Sequence, residues 1–180
     1  EPAARAHAAT LVTRIRLVNR QIRDALKQID HLTERLAQSK ESEPGQPGEQ
    51  HDATILASLP GAGRIVVATL LAEAQDPLRR RDYHALRNLT GVAPVTKQSG
   101  DRRIVQRRRA CHPRLANAVY HMARVATQRD PTCRAKYAAL RARNQSHGRA
   151  LRAVADRLLN VACAMLRDGT LFQPEAFMAQ

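Results

Sequence analysis

The segment DATILASLPGAGRIVVATLLAEA, residues 52–74, indicates how this chain folds. Apolar residues recur at helical spacing on both sides of Pro60-Gly61-Ala62-Gly63, where one proline and two glycines interrupt the pattern. We therefore predict a short helix capped by Asp52, a tight turn, and a second helix over residues 64–74. The inward face of the second helix is predicted to hold Ile65, Ala68, Leu71 and Ala72.

A helix, a Leu-Pro-Gly-Ala-Gly turn and a second helix form the pattern of a helix-hairpin-helix element. Glycines let backbone N–H groups approach a phosphate without an intervening side chain, and the N-terminus of the following helix carries a favourable dipole. The pattern predicts that Gly61, Gly63 and Arg64 bind a nucleic-acid backbone without reading its sequence. The alternative is an ordinary interhelical turn, in which the glycines serve only the geometry.

Upstream of this segment, residues 2–42 are predicted to form one long helix. Its apolar residues are separated by alternating steps of four and three, which is the heptad seam of a coiled coil. The a positions are Ile15, Ile22, Ile29 and Leu36, and the d positions are Leu11, Val18, Ala25 and Leu32. We expect a homo-oligomer through residues 11–36, and the alternative is a helix that packs along its own domain.

The whole sequence predicts an all-α fold in three parts. Residues 1–43 form the coiled-coil helix, residues 44–51 a Pro/Gly linker, and residues 52–180 a compact helical domain with the helix-hairpin-helix-like element. Because aromatic residues make up only 3% and Trp is absent, Ala, Leu and Val must build the core, which suits packed helices. Further elements are predicted from Asp82 to Leu89, at Ile104-Val105 as a short extended piece, and from Pro131 with Asp130 as cap. A helix from Pro113 is predicted to hold on one face Leu115, Val119, Met122 and Ala126. A last helix from about His147 to Arg167, with Gly169 as its C-terminal cap, is predicted to turn inward Leu151, Val154, Leu158, Val161, Ala162 and Met165.

The charge balance indicates a polyanionic partner. Thirty Lys and Arg residues against 16 Asp and Glu give a formal net charge of +14, for which nucleic acid is the first partner to consider. The sequence shows no apolar run of membrane-spanning length and no signal peptide, so we expect a cytoplasmic, nucleoid-associated protein without a membrane partner. Three cysteines without a CxxC pair predict buried or half-buried thiols in a reducing compartment and no metal site.

Residues 91–110 carry the candidate chemistry. Ser99 lies in the polar stretch Thr96–Arg103, which is predicted to be a turn within an irregular segment. A serine nucleophile needs a base, and no Ser-His-Asp order is evident, although His84 and His112 are candidates. Cationic side chains that suit a phosphodiester surround the serine in sequence: Lys97, Arg102, Arg103, Arg107, Arg108 and Arg109. From these residues alone, Ser99 is either a nucleophile or a part of an ordinary turn.

Two other routes to strand cleavage have less support in the sequence. Tyr83, Tyr120 and Tyr137 have helical spacing, which predicts core packing rather than a recombinase tyrosine. Glu73 and Asp76 lie three residues apart near a helix end, and no acidic cluster suggests a two-metal nuclease site.

Several motifs follow one another in a specific order. They are Leu59-Pro60-Gly61-Ala62-Gly63 before an Ala-rich helix, Leu89-Thr90-Gly91-Val92-Ala93-Pro94, Gln98-Ser99-Gly100, a basic stretch, and Pro113-Arg114-Leu115. Together with the tail over residues 150–169, this order resembles the C-terminal transposase domain of the IS-one-ten class of insertion-sequence transposases, relatives of the Piv/MooV DNA invertases. The likeness covers about residues 55–175.

The resemblance implies a DNA transposase that cleaves and rejoins strands through a serine. The serine of the family's Gln-Ser-Gly motif falls on Ser99, which would attack the DNA backbone and become covalently linked to it. The family's coiled coil falls on the helix with the seam over residues 11–36. The resemblance also implies an N-terminal RuvC-like domain with four acidic metal ligands, and a structured bridge RNA that selects donor and target DNA. A divalent metal is therefore expected in that domain and no cofactor in this chain.

Two departures from the family pattern bear on these expectations. The RuvC-like domain is not in the sequence, which starts at Glu1 rather than Met, so we expect a fragment that is inactive alone. The family's glycine-asparagine before the next helix is Cys111-His112 here, which puts the local turn in question. The alternative function is a non-catalytic helix-hairpin-helix module that binds nucleic acid. A third is a coiled-coil assembly domain whose basic face is only solvated.

Overall fold

The computed structural model describes residues 2–38 and 49–174, and it confirms a mostly helical fold. The elements, in chain order, are α1 (Pro2–Gln38), α2 (Glu49–Ser58), α3 (Arg64–Glu73), α4 (Gln75–Arg79), α5 (Tyr83–Leu89), β1 (Val95–Ser99), β2 (Arg102–Gln106), α6 (Pro113–Arg129), α7 (Pro131–Ala142) and α8 (His147–Asp168). The two strands pair antiparallel, and they form the only sheet within these two ranges.

Local capping chemistry sets several helix ends where the sequence predicts them. Asp82 Oδ1 accepts a hydrogen bond from the Ala85 N–H (2.9 Å) at the start of α5, and Asp130 Oδ1 accepts one from the Cys133 N–H (2.7 Å) at the start of α7. Gly169 ends α8 with a φ of +64°, in the left-handed region that glycine adopts easily. The predicted caps at Asp130 and Gly169, and the predicted start of α5 near Asp82, are confirmed because each depends on neighbouring residues alone.

The predicted cap at Asp52 is wrong, because this residue lies inside α2. The helix begins at Glu49, and the Asp52 carboxylate accepts hydrogen bonds from Arg81 Nη1 (2.6 Å) and Nη2 (2.8 Å). Arg81 has a positive φ of 53° in the turn between α4 and α5. A buried ion pair between distant segments therefore occupies the carboxylate. Most of the predicted linker, and the predicted end of the first helix over residues 39–42, lie outside the described residues.

Two long helices, α6 and α8, form the centre of the domain. The side chains that α6 buries include Leu115, Val119, Met122 and Ala126, as its spacing predicts. Those that α8 buries include Leu151, Val154, Leu158, Ala162 and Met165, again as predicted, while Val161 is partly buried. Helices α3, α7 and α8 pack against α6, and α2, α5 and α7 pack against α8. The core thus consists of aliphatic side chains between helices, as the composition predicts.

Helix α3 buries a different face from the predicted one. Its buried residues are Val66, Val67 and Leu70, whereas Ile65 is 56% exposed. Ala68, from the predicted face, lines a cavity of about 300 Å³ that α1 borders from the other side. The prediction is wrong because α3 carries apolar residues on several faces, so its spacing cannot select one of them.

Helix α1 packs on the domain through its C-terminal part. Leu26, Ile29 and Thr33 are partly buried there, where α1 contacts α2 and α3. By contrast, the N-terminal half of the seam is open to solvent: its large apolar residues, 43–58% exposed, are Leu11, Ile15, Val18 and Ile22. Packing along the domain therefore applies to the C-terminal part of the helix, and self-association through residues 11–36 stays a prediction.

Candidate nucleic-acid interface

The turn between α2 and α3 is shaped by its first glycine. Gly61 has a φ of +81°, and a Cβ atom built there would lie 2.2 Å from the carbonyl oxygen of Met122 on α6. Packing therefore accounts for Gly61 without any ligand. Gly63 differs, because it precedes α3 with a φ of −70° and no atom lies within 4 Å of an added Cβ. Of the two glycines predicted to contact phosphate, Gly63 is the one with free space around it.

Gly63 borders an open groove of about 900 Å³ between the turn, α3 and α6. The groove is basic, and its cationic or titratable lining residues are Arg64, Arg114, His121 and Arg129. Arg64 Nη1 donates to Asp30 Oδ2 on α1 at 2.7 Å, but both side chains are 40–49% exposed. Such an exposed ion pair contributes little to stability, so a phosphate could replace the aspartate at low cost.

Ser99 is the last residue of β1, not part of an irregular turn. It faces Arg102, the first residue of β2, and Gly100-Asp101 connects the two strands, with Gly100 at a φ of +57°. The predicted extended piece at Ile104-Val105 is confirmed as part of β2. Nine of the ten strand residues are exposed and only Val95 is partly buried, so the hairpin is an exposed arm of the helical domain.

The pairing register sorts the charged residues of this hairpin onto two faces. Residues directly opposite each other, and residues two apart along a strand, share a face. Lys97, Ser99 and Arg102 therefore lie on one face, because Ser99 pairs with Arg102 and Lys97 is two residues from Ser99. Arg103 pairs with Gln98 and lies on the other face. The serine consequently has two cationic neighbours on its own face.

The departure at Cys111-His112 is accommodated by the structure. His112 is the N-cap of α6, where its Nδ1 accepts a hydrogen bond from the Leu115 N–H at 3.5 Å. The His112 N–H donates to the Leu89 carbonyl at 2.8 Å, which fixes this segment against the end of α5. Cys111 packs on Gly91, where an added Cβ would lie 2.8 Å from the Cys111 Sγ.

Neither candidate histidine is hydrogen-bonded to the Ser99 hydroxyl. His112 Nε2 lies 3.4 Å from Glu73 Oε2, and its other ring nitrogen caps α6. His84 is exposed on α5, with its ring tilted against that of Tyr83. Within the described ranges, the Ser99 hydroxyl therefore has no side-chain hydrogen-bond partner that would act as its base.

Arg107, Arg108 and Arg109 follow β2, and they lie beside the N-terminal half of α8. Arg107 and Arg108 line a cavity of about 290 Å³ together with Arg149 and Arg152 of α8. Burial, and then the neighbouring charges of Arg107 and Arg149, lower the pKa of Arg152. No ion pair in the described part of the chain joins these four arginines to a carboxylate. Guanidinium groups held together without a counter-ion attract an anion.

The one carboxylate among the residues that line this cavity, Asp156, is already neutralised. Arg87 donates to it through Nε (3.0 Å) and Nη2 (2.6 Å), and the Tyr83 hydroxyl donates to its Oδ1 at 2.8 Å. Burial and this hydrogen bond raise the pKa of Tyr83 to about 12. The buried Nε of Arg108 has no hydrogen-bond partner among the described residues. The cavity therefore keeps its excess positive charge.

Arg149 and Arg152 are site residues that the sequence patterns did not single out. They lie three residues apart in the first two turns of α8, beside its apolar stripe. Gly148 lies next to this guanidinium, because a Cβ added there would lie 3.4 Å from Arg152 Nη1. The pair could have been noticed as the first two of the four arginines in α8, but nothing local links it to Arg107.

The three tyrosines do not all behave as predicted. Tyr83 and Tyr137 are partly buried, and the Tyr137 hydroxyl lies 2.8 Å from His147 Nδ1. Tyr120, in contrast, is 38% exposed on α6 and lines a second cavity. Core packing is therefore wrong for Tyr120, because its position lies on the border between the buried and the exposed face of α6.

The structure distributes the predicted binding residues over three surfaces. The first is the turn and groove at α3 and α6, with Gly61, Gly63 and Arg64. The second is the hairpin arm, with Lys97, Ser99, Arg102 and Arg103. The third, which we call the arginine cavity, contains Arg107 and Arg108 with Arg149 and Arg152, while Arg109 lines the adjoining cavity.

Other chemistry has less support in the described ranges. They contain no group of three or more His, Cys, Asp or Glu side chains placed to bind a metal ion. Cys133 and Cys163 are buried as predicted, and burial raises their pKa values to about 12 and about 11, which keeps both thiols protonated. None of the described helices combines the length and hydrophobicity needed to cross a membrane.

Known proteins resemble this chain in sequence. Residues 53–138 match the model of the transposase IS116/IS110/IS902 family. The chain is 38% identical over 112 residues to the candidate mini-circle transposase for IS117 of Streptomyces coelicolor, which covers 62% of this chain and 27% of that protein. It is 37% identical over 126 residues to a 42 kDa protein of insertion element IS900 from Mycobacterium paratuberculosis, covering 68% and 31%.

A third relative is a 43.6 kDa protein of insertion element IS110 from Streptomyces coelicolor. It is 33% identical over 120 residues, which cover 66% of this chain and 30% of the relative. The chain therefore spans about 30% of the length of the relatives that it matches.

Proposed function

We propose that this chain is the transposase domain of an insertion-element recombinase, because it belongs to the IS116/IS110/IS902 transposase family. In this proposal the domain binds DNA and takes part in cutting and rejoining its strands. The observation that carries the proposal is the exposed hairpin, which presents the Ser99 hydroxyl on one face with Lys97 and Arg102. A nucleophile and two cations on an exposed arm suit attack on a phosphodiester.

The proposed reaction consists of two phosphoryl transfers. In the first, Ser99 Oγ loses its proton to a base and bonds to phosphorus, while the bond from phosphorus to one sugar oxygen breaks and that oxygen takes up a proton. In the second, the oxygen of a sugar hydroxyl gives its proton to the base and bonds to phosphorus, while the bond from phosphorus to Ser99 Oγ breaks and Oγ takes up a proton, which restores the serine and rejoins a strand. Arg102 and Lys97 would stabilise the negative charge that the phosphoryl oxygens carry in both steps.

No described side chain is hydrogen-bonded to the Ser99 hydroxyl, so in this proposal the base comes from another part of the complete site. We propose that a RuvC-like domain, with a divalent metal bound to its own acidic residues, completes the site. A structured guide RNA would select the DNA, and the free arginines would hold RNA or DNA phosphates. The exposed seam of α1 supports self-association through residues 11–36.

Recombination by the full-length transposase, with its RNA and DNA, tests the role of Ser99. Ser99→Ala should abolish both recombination and the SDS-stable protein–DNA adduct, a loss of at least about 10³-fold. Thr96→Ala is the matched control, since Thr96 is an exposed hydroxyl residue on the same strand but on the opposite face. If Ser99→Ala recombines at the wild-type rate, the serine mechanism is wrong.

The two arginines of β2 provide a sharper comparison. Arg102→Gln should slow recombination by about 10²-fold or more, as expected for a cation beside the reacting phosphate. Arg103→Gln removes the same charge from the opposite face of the hairpin and should have a much smaller effect. Equal effects of the two substitutions would mean that the register does not define the reactive face.

The second candidate function is a non-catalytic module that binds nucleic acid. The missing base beside Ser99 favours this candidate, since the described residues alone contain no activated nucleophile. It predicts binding that weakens steeply with salt, and no covalent adduct under any condition. Recovery of a Ser99-linked DNA fragment from the full-length protein would exclude it.

A further inference from the structure

The arginine cavity adjoins a larger one that has different walls. The larger cavity measures about 480 Å³, within the range of about 300–1,000 Å³ that small ligands occupy. Both cavities are lined by Arg107 and Arg152, which therefore stand at their common border. The larger cavity also has an apolar floor, to which Val92, Leu151 and Ala155 contribute.

Two residues on the α6 side of this larger cavity can recognise a flat, polar ring. Tyr120 is 38% exposed, and its ring lies edge-on to that of His121, with the ring centroids 5.4 Å apart. Asn117 lies one turn earlier on α6 and supplies both an amide donor and an amide acceptor. An aromatic ring and an amide beside an apolar floor suit a nucleobase better than they suit a bare phosphate.

The arginines at the common border lack an anion. Neither Arg107 nor Arg152 is paired with a carboxylate in the described part of the chain, and Asp156 is occupied by Arg87. Arg152 is partly buried in the first turns of α8. A phosphate at this border would neutralise charges that otherwise repel each other.

We propose that these adjoining cavities bind one unpaired nucleotide of a DNA or RNA strand. Its phosphate would lie between Arg107 and Arg152, and its base would lie on the apolar floor beside Tyr120 and Asn117. A paired base cannot enter such a cavity, because a duplex must first unstack and extrude it. This inference rests on the proposed nucleic-acid binding and adds to it the preferred structure: a bulge, a loop or an extruded base.

Fluorescence anisotropy with this chain tests the proposal. The probes are two hairpins with the same stem, one fully paired and one with a single bulged nucleotide, each made as DNA and as RNA. The wild-type chain should bind the bulged stem about tenfold more tightly than the paired stem. The DNA and RNA versions show which strand supplies the nucleotide.

The variants separate the nucleotide pocket from general charge attraction. Tyr120→Ala, at an exposed position, should remove the preference for the bulge and leave binding of the paired stem within about twofold. Arg152→Gln should weaken binding of the bulged stem and lower its salt dependence by about one counter-ion. Arg124→Gln is the matched control, because Arg124 is exposed on α6 and lines neither cavity, so it should keep the preference.

Each outcome decides between the proposals. Equal binding of both stems by the wild-type chain, or an equal loss on both stems in Tyr120→Ala, would overturn the nucleotide pocket and leave nucleic-acid binding intact. Failure to bind any of the four hairpins near physiological salt would instead refute the proposed function itself.

Discussion

Replacement of Gly61 by alanine tests whether packing or phosphate binding explains the glycine turn. The new Cβ would lie 2.2 Å from the Met122 carbonyl oxygen and 2.9 Å from the Ala126 nitrogen, at a backbone φ of +81°. A left-handed backbone costs a residue with a side chain about 1–2 kcal/mol, and overpacking costs about 1–3 kcal/mol. We therefore expect Gly61→Ala to lower the free energy of unfolding by about 2–5 kcal/mol.

The measurement is urea unfolding followed by far-ultraviolet circular dichroism. Gly63→Ala is the matched control, because its φ is −70° and no atom lies within 4 Å of the added Cβ. The control should stay within about 1 kcal/mol of wild type. If Gly61→Ala also stays within about 0.5 kcal/mol at an unchanged m value, the contact with α6 does not hold this turn, and the reasoning fails.

The same pair of variants separates folding from binding. Gly63→Ala should keep its stability but weaken binding of duplex DNA by about three- to tenfold, if the backbone N–H groups beside Gly63 contact a phosphate. Unchanged DNA binding by a folded Gly63→Ala would leave the turn with a purely structural role.

Three further predictions follow from the structure. Asp52→Asn should lower the free energy of unfolding, measured in urea, by about 3–5 kcal/mol, because it breaks the ion pair with Arg81, whose side chains are 8% and 12% exposed. Arg114→Ala breaks the ion pair of a largely exposed arginine with Glu73 and should lower the free energy of unfolding by under about 1 kcal/mol. Burial and the hydrogen bond to Asp130 raise the pKa of Cys133 to about 12, so the folded state retains a proton that the unfolded state loses above about pH 9. The free energy of unfolding should accordingly fall between about pH 9 and pH 12, by up to about 1.4 kcal/mol per pH unit for this thiol. Urea unfolding over the same pH range should show a smaller fall for Cys133→Ala. Ile15→Asp should reduce self-association in sedimentation without changing the stability of the domain, because this seam residue is 58% exposed.

These predictions have clear contrary outcomes. Equal costs for the buried and the exposed ion pair would show that burial does not decide their contributions. An alkaline loss of stability that is the same with and without the Cys133 thiol would assign the effect to other groups. A wild-type chain that sediments as a monomer at high concentration would remove the basis for the seam as a dimer contact.

The sequence by itself determined the elements whose causes are local. The sequence determined the helix caps at Asp130 and Gly169, the start of α5 near Asp82, the amphipathic faces of α6 and α8, and the mostly helical class, all of which follow from interactions within a few residues. The order of motifs around Ser99 likewise indicated the transposase family, which the comparisons support. Local capping and periodicity have a short range, so they can be read without knowing the neighbours in space.

Tertiary contacts decided the remaining features. The Asp52 carboxylate binds Arg81, 29 positions away, instead of capping a helix. Gly61 serves packing because α6 lies against it, and Arg152 belongs to the arginine cavity because the chain after β2 returns to α8. Such contacts join residues that are far apart along the chain, and only the packing of the helices brings their charges and their excluded volumes together.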